Sequence, residues 1–168
     1  MQSDELRALQ APLKKKYKEN PEEAEYTLHA TGTLGGDLSC FVETDLGSVE
    51  AGLHPATGGD GSFACSGDML LQSLAACAGV TMQSVATAMD INIWKGTVRA
   101  DGLLDFRGTL GVSREAPVGF KEITVTFELD ADADQKKLAK LVQLTERYCV
   151  VYQTLKNSLE ISAELVSI

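Results

Sequence analysis

The spacing of apolar residues predicts that the chain begins with a helix and continues with short strands. Three leucines recur at three- and four-residue intervals between residues 3 and 19, which predicts an amphipathic helix that ends at Asn20-Pro21. Beyond it the pattern changes to alternation, typical of half-buried strands. The predicted strands are 24–33, 38–45 and 49–53, with turns at Gly35-Gly36-Asp37 and Leu46-Gly47-Ser48. A glycine-rich loop follows at 54–62.

Residues 69–89 carry no charge and form the longest apolar segment of the chain. Ser66 is a suitable N-cap and Asp68 a suitable first-turn acid, so we predict a helix over 66–90. A helix that is apolar nearly all round must be covered on all sides. A sheet wrapped around it and a second helix would cover it, and the same helix of a second copy of the chain is one candidate for that second helix. A membrane span is the alternative for such a run. The Gln, Ser and Thr residues within it argue against that alternative.

The second half of the chain returns to strands and ends with two helices and a strand. The predicted elements are strands at 91–100, 103–114 and 120–130, a helix from Asp134 to Arg147, a short helix whose first turn holds Cys149, and a final strand at 159–167. This order predicts an α+β protein. We expect residues 1–20 to form an N-terminal helical extension and 21–168 to form a single domain, as the length suggests.

Composition and charge narrow the function classes. Fifteen basic and twenty-four acidic residues leave a net charge of −9, which disfavours binding to nucleic acid. The one basic cluster, Lys14 to Lys18, is explained by the solvated face of a helix. The N-terminus has acids before any basic residue and no apolar segment, unlike a secretory signal peptide. We therefore expect a cytoplasmic protein with no membrane partner.

The four cysteines are Cys40, Cys65, Cys77 and Cys149, and their spacing contains no C-x-x-C pair. Neither histidine is near a cysteine in the sequence, so neither a metal site nor a cofactor is predicted. In a reducing compartment these residues are thiols at rest. Cys77 falls in the uncharged helix, and Cys149 falls near a helix start, where the dipole stabilises a thiolate. The alternative for all four is simple packing, since free cysteine is often buried.

Residues 66–79, SGDMLLQSLAACAG, resemble the central-helix motif of the OsmC/Ohr family, the osmotically inducible and organic hydroperoxide resistance proteins. The late cysteine, Cys149, followed by a last strand, also resembles the family. The resemblance implies an intertwined homodimer with antiparallel sheets wrapped around long buried central helices. It further implies a thiol peroxidase acting on a small hydroperoxide, with Cys77 attacking the peroxide and Cys149 resolving the sulfenic acid as a disulfide. A dithiol, often lipoyl-based in the family, would then reduce the disulfide.

Three positions depart from the family pattern. Where the hydroperoxide reductases have a glutamate ten residues before the first cysteine, this chain has Gly67, with Asp68 one step later. Their hairpin arginine has no counterpart, because no Lys or Arg occurs between Lys18 and Lys95. The residue after the second cysteine is Val150 instead of proline. Asp68 is therefore the candidate acid. Arg147 is the candidate cation among Arg7, Arg99, Arg107, Arg114 and Arg147.

Two other functions remain open at this stage. A binding or scaffold protein on the same fold would keep the cysteines and lack the catalytic electrostatics. A hot-dog thioesterase also wraps a long buried helix in an antiparallel sheet, and would need an acid or histidine beside that helix to activate water. Asp68 is the available acid, but the late cysteine-bearing helix has no place in that fold.

Overall fold

The structure is a computed structural model that describes residues 1–44 and 47–167. The helices in these ranges are α1 (Ser3–Glu19), α2 (Ser66–Ala88), α3 (Phe106–Thr109), α4 (Gln135–Tyr148) and α5 (Val150–Lys156). Single turns of 3-10 helix lie at Pro21–Ala24 and Pro55–Thr57. The mixed helix and strand content confirms the predicted α+β class.

The strands form two separate sheets. β1 (Gly32–Leu34), β2 (Cys40–Thr44), β3 (Gly47–Gly52) and β4 (Ala64–Cys65) lie in that order, antiparallel except for β4, which is parallel to β3. β5 (Ile93–Leu103) and β6 (Glu122–Ala131) form a long antiparallel ribbon with a bulge near Ile93 and Lys95. The predicted turn at Gly35-Gly36-Asp37 joins β1 and β2. In the other predicted turn, Leu46 lies outside the described residues, while Gly47 and Ser48 belong to β3.

The core forms where α2 packs against the ribbon and α4. One stripe of α2 at four-residue spacing is buried: Leu74, Ala78, Met82 and Ala86. Leu141 of α4 is fully buried against this stripe. From β6, Phe127 and Leu129 pack on the same cluster. The inward positions of β6 alternate along the strand, as its sequence pattern predicts.

The predicted helices agree with the structure except at their ends and in their burial. α1 and α4 begin and end within a residue of the prediction, and the Asp134 carboxylate caps α4 by accepting from the N–H of Lys137 at 2.7 Å. α2 ends at Ala88, and its N-cap is Cys65, so Ser66 is the first helical residue instead of the cap. The expectation that α2 is covered on all sides is wrong for the single chain, because Val80 is 73% exposed.

Length and composition single out α2 in the described part of the chain as the one helix able to cross a membrane. Core helices of water-soluble proteins pass the same test.

Three predicted strands differ from the structure. In 24–33 only Gly32 and Thr33 are in a strand, and in 159–167 none of the residues is. Both segments carry exposed apolar residues, including Leu28 at 90% and Leu165 at 93%. A strand needs a neighbour for its hydrogen bonds, and among the described residues neither 24–30 nor 159–167 has a strand paired with it. The prediction for 103–114 fails because Asp105 caps α3 by accepting from the N–H of Arg107.

Candidate active site

Cys77 lies in the middle of α2, half-buried, on the side that faces α4 and α5. The residue after it, Ala78, is buried in the core. Because alanine and glycine flank Cys77 along the helix, a neighbouring backbone can approach the thiol closely. That neighbour is the junction of α4 and α5.

Cys149 occupies that junction and is completely buried. It is at once the C-cap of α4 and the N-cap of α5, with an extended backbone (φ −74°, ψ 112°). Its N–H donates to the carbonyl of Thr145, and its carbonyl accepts from the N–H of Gln153, both at 2.9 Å. The Gln153 side chain also donates to the Glu146 carbonyl at 2.7 Å. These bonds tie the two helices together and fix the position of the thiol.

The Cys149 thiol donates a hydrogen bond to the sulfur of Cys77, so the fold brings together the two residues that the sequence predicts as redox partners. Burial acts to raise the pKa of Cys77. Four donors outweigh it and lower that pKa: the N–H groups of Val151 and Val150, the Cys149 thiol and the Thr81 hydroxyl. Backbone N–H groups in the first turn of a helix lack partners within the helix and are free to donate. The sulfur of Cys77 is therefore held in an environment that favours the thiolate.

The pKa of Cys149 is shifted in the opposite direction. Burial is the largest cause and raises it, and the neighbouring Cys77 raises it further. The N–H groups of Tyr152 and Val151 act against that rise without overcoming it. The opposite shifts favour the thiolate at Cys77 and the protonated thiol at Cys149. A thiolate beside a thiol can react with an electrophilic oxygen and then close a disulfide.

Asp68 and Arg147, the other predicted site residues, lie apart from this contact. Asp68 is in the first turn of α2, nine residues before Cys77, which corresponds to about 13 Å along the helix axis. The Arg147 guanidinium lies over the ring of Tyr148, 5.4 Å from its centroid. The catalytic roles of both residues stay predictions. The groups that set the two thiol pKa values are backbone N–H groups, one hydroxyl and the sulfurs themselves.

Sequence reasoning missed Thr81 and the first-turn N–H groups of α5. Thr81 follows Cys77 by four residues, so helical periodicity alone places it on the same face. The N–H donors carry no side-chain signal in the sequence. Cys40 is in β2 and Cys65 caps α2, and both are free thiols. Among residues 1–44 and 47–167, no cluster of three or more His, Cys, Asp or Glu side chains is arranged to hold a metal ion.

The sequence model of the family described as "OsmC-like protein" matches residues 59–164. This chain belongs to that family. The matched region contains both cysteines of the pair, and it excludes α1. A search of curated protein sequences found no match.

Solved structures with the same fold include an OsmC-like protein from Mycoplasma pneumoniae, at 20% identity and a TM-score of 0.67, covering 79% of this chain and 89% of that one. An organic hydroperoxide resistance protein OsmC from Legionella pneumophila matches at 17% identity and a TM-score of 0.56, covering 79% and 92%. The organic hydroperoxide resistance protein OhrB of Bacillus subtilis matches at 21% identity and a TM-score of 0.52, covering 77% and 91%. At these identities the likeness shows the fold.

Proposed function

We propose that this protein is a thiol-dependent peroxidase that reduces organic hydroperoxides through Cys77 and Cys149. The observation that carries the proposal is the hydrogen-bonded thiol pair with opposite pKa shifts, lowered at Cys77 and raised at Cys149. A peroxidase of this type needs one thiolate to attack and a second thiol close enough to resolve it. Two solved structures of the same fold are named organic hydroperoxide resistance proteins, which supports this choice of substrate.

In the first step the Cys77 thiolate attacks the terminal oxygen of the hydroperoxide. A sulfur–oxygen bond forms and the oxygen–oxygen bond breaks, which gives a sulfenic acid on Cys77 and an alkoxide. The alkoxide takes the proton of the Cys149 thiol and leaves as an alcohol. Cys149 therefore becomes a thiolate only after the peroxide has been cleaved. The alkoxide is a base strong enough to take its proton although the pKa of this thiol is raised.

In the second step the Cys149 thiolate attacks the sulfur of the sulfenic acid. The disulfide forms, the sulfur–oxygen bond breaks, and the hydroxide that leaves is protonated to water. An external dithiol then returns two electrons by thiol–disulfide exchange and is itself oxidised to a disulfide. A lipoyl-type dithiol is the reductant that we propose, acting in a reducing compartment such as the cytoplasm.

We propose that the active form is a homodimer. The segments 25–31 and 157–167 contain apolar side chains that are largely exposed in the single chain, among them Leu28 and Ile161. Helix α2, which carries no charge after Asp68, is also uncovered on one side, at Val80. A second copy would supply strands for these segments and cover this helix in one symmetric interface.

The test is hydroperoxide consumption with a dithiol reductant. We expect the Cys77→Ser variant to lose activity completely. Before any dithiol is added, the Cys149→Ser variant should consume one equivalent of hydroperoxide and stop at a sulfenic acid that a dimedone-type probe labels. Cys40→Ser is the matched control and should retain the activity of the unmodified protein. Full turnover by Cys77→Ser would overturn the proposal.

The alternative is a binding protein of the same fold without peroxidase activity. The observation that favours it is the absence of basic residues between Lys18 and Lys95, where the hairpin of the hydroperoxide reductases contributes a cation. The same assay distinguishes the two. Activity that is absent in the unmodified protein, with Cys77 alkylated no faster than an ordinary thiol, would establish the alternative.

A further inference from the structure

A single backbone angle separates α4 from α5. At Cys149 the main-chain bonds are those of a continuous helix: its N–H donates to the carbonyl of Thr145, and its carbonyl accepts from the N–H of Gln153, both at 2.9 Å. The angle that departs is ψ, which is 112° at Cys149, whereas an α-helix has about −42°. This rotation turns the N–H groups of the next three residues away from the carbonyls of α4.

The N–H groups that the break releases are directed at the two sulfurs. In a continuous helix the N–H groups of Val150, Val151 and Tyr152 would each donate to the carbonyl four residues earlier. Instead, those of Val150 and Val151 donate to Cys77, and those of Val151 and Tyr152 donate to Cys149. The sulfur of Cys77 therefore keeps these donors only while α4 does not continue into α5.

The side chain of Gln153 stabilises the break at the carbonyl where a continuous helix would otherwise form. Glu146 precedes Val150 by four residues, so its carbonyl is the helical acceptor for the Val150 N–H. Nε2 of Gln153 donates to this carbonyl at 2.7 Å, in a half-buried hydrogen bond. Nδ2 of Asn157 donates to Oε1 of the same amide at 3.1 Å. Because Oε1 accepts from Asn157, the amide nitrogen is the group that faces Glu146.

The environment of the Cys77 sulfur contains no charge that would replace a lost N–H donor. Among the described residues, no charged side chain of α2, α4 or α5 is a main cause of the pKa shift of Cys77, and the Cys149 thiol is the titratable group that faces it. The Arg147 guanidinium lies over the Tyr148 ring, and the Lys156 ammonium group lies 5.6 Å from the centroid of the Tyr152 ring. The position of the N–H donors therefore matters directly for this thiol.

We infer that Gln153 is a positioning residue: its amide binds the Glu146 carbonyl and so leaves the N–H of Val150 directed at the sulfur of Cys77. Resting on the proposed function, Gln153 acts on the reaction through the thiol pair and does not touch the hydroperoxide. Without this amide the Glu146 carbonyl attracts the Val150 N–H, α4 extends towards α5, and Cys77 loses a donor.

The first test replaces Gln153 in the reduced protein. Gln153→Met keeps a long side chain of similar helix propensity and removes the donor. We expect the pKa of Cys77 to rise by about half a unit to one unit, and alkylation by iodoacetamide at a pH below that pKa to slow about three- to tenfold. Gln143→Met is the matched control: it makes the same change on the exposed face of α4, where the side chain contacts Lys140, and should leave the midpoint unchanged.

Circular dichroism checks that the variants fold. Asn157→Ala is a second, milder variant, because it leaves the Gln153 amide in place and removes the donor that orients it. It should shift the midpoint for Cys77 in the same direction as Gln153→Met and by less. An unchanged midpoint in a folded Gln153→Met variant, or in Asn157→Ala where Gln153→Met does not fold, would overturn the inference.

A double-mutant cycle with Val150→Pro separates positioning from a general effect on packing. Proline removes the N–H that Gln153 is inferred to control and also prevents a continuous helix. In that background Gln153→Met should leave the midpoint for Cys77 unchanged, whereas shifts that add in the double variant would overturn the inference. The alkylation assay needs no peroxide. A midpoint that depends on Gln153 without hydroperoxide consumption would uphold the role of Gln153 and reject the peroxidase, and hydroperoxide consumption with an unchanged midpoint would do the reverse.

Discussion

The pKa values of the two cysteines shift in opposite directions because the two sulfurs are placed differently relative to the N–H groups of α5. Cys77 approaches the first turn of α5 from another helix and receives the N–H groups of Val150 and Val151 together with the Thr81 hydroxyl. Cys149 is fully buried at the junction itself, and burial dominates its pKa. The rate–pH profile for alkylation should therefore have its midpoint at lower pH for Cys77 than for Cys149.

Thr81 is the side chain on which the Cys77 pKa depends directly. Thr87 and Thr145 use their hydroxyls to bond the carbonyl four residues earlier, whereas Thr81 donates to the thiol. Thr81→Val keeps the branched shape and removes the donor, so it should raise the pKa of Cys77 by roughly half a unit to one unit. Alkylation of Cys77 at a pH below its pKa should slow about three- to tenfold. Thr81→Ser keeps a hydroxyl and should restore the rate; an unchanged midpoint in Thr81→Val would assign Thr81 to packing alone.

The sequence identifies the candidate thiols of the site better than their surroundings. Cys77 and Cys149 are candidates because residues 66–79 and the late cysteine resemble the OsmC/Ohr pattern; position alone leaves simple packing as the alternative. Val150 stands out in the sequence as a departure from proline, but the sequence does not show that its N–H points at another helix. Cationic side chains are easy to identify in a sequence, and for that reason the sequence favours Arg147. The donors found in the structure are main-chain groups that every residue except proline has.

At the scale of the element, the first turn of α5 directs two backbone N–H groups at the sulfur of Cys77. Val150 is the first residue of α5, a position where proline is ordinarily tolerated because its N–H is not needed within the helix. Here that N–H donates to Cys77. Cys149 already has the extended backbone that a following proline requires. Val150, at the position where the family resemblance leads one to expect proline, thus supplies a donor at little conformational cost.

Val150→Pro tests this account. The variant should fold, since both the helix position and the backbone of Cys149 accept proline, and it should raise the pKa of Cys77 by about one unit through loss of a single N–H donor. Val150→Ala retains the N–H and is the matched control, because Val150 is largely exposed and little packing is lost. Circular dichroism checks the fold, and the pH dependence of iodoacetamide alkylation gives the pKa. Equal midpoints in the two variants would contradict a role for this N–H.

Helices were predicted more accurately than strands for a physical reason. A helix satisfies its backbone within its own segment, so the local pattern for α1, α2 and α4 was sufficient. A strand depends on a neighbour that the local sequence does not reveal. β6 has β5 beside it and forms as predicted, whereas no strand among the residues that the structure describes pairs with the alternating segment at 159–167. In residues 103–114 the Asp105 side chain caps the short helix α3, and this local interaction outweighs the alternating pattern that predicts a strand.

At the scale of the whole molecule, the segments without a neighbour point to a second copy. Leu159, Ile161 and Leu165 alternate along one face of the C-terminal segment and are more than half exposed. Such alternation is typical of a strand that buries its apolar face in a protein core, but in the single chain the apolar face of this segment is exposed to solvent. Leu28 near the other end of the chain is equally uncovered. Such apolar residues become buried if the segments pair with strands of a partner chain.

We therefore expect a sedimentation mass of twice the 18.0 kDa chain at micromolar concentration. Ile161→Asp places a charge on the apolar face of the C-terminal segment and should shift the equilibrium towards monomer, because burying an unpaired carboxylate in an interface is costly. Ser162→Asp adds the same charge one residue later, on the opposite face of the alternation, and should leave the dimer intact. Loss of the dimer in both variants would mean that added charge alone disrupts the assembly, and a mass near 18.0 kDa for the unmodified protein would rule out the dimer at that concentration.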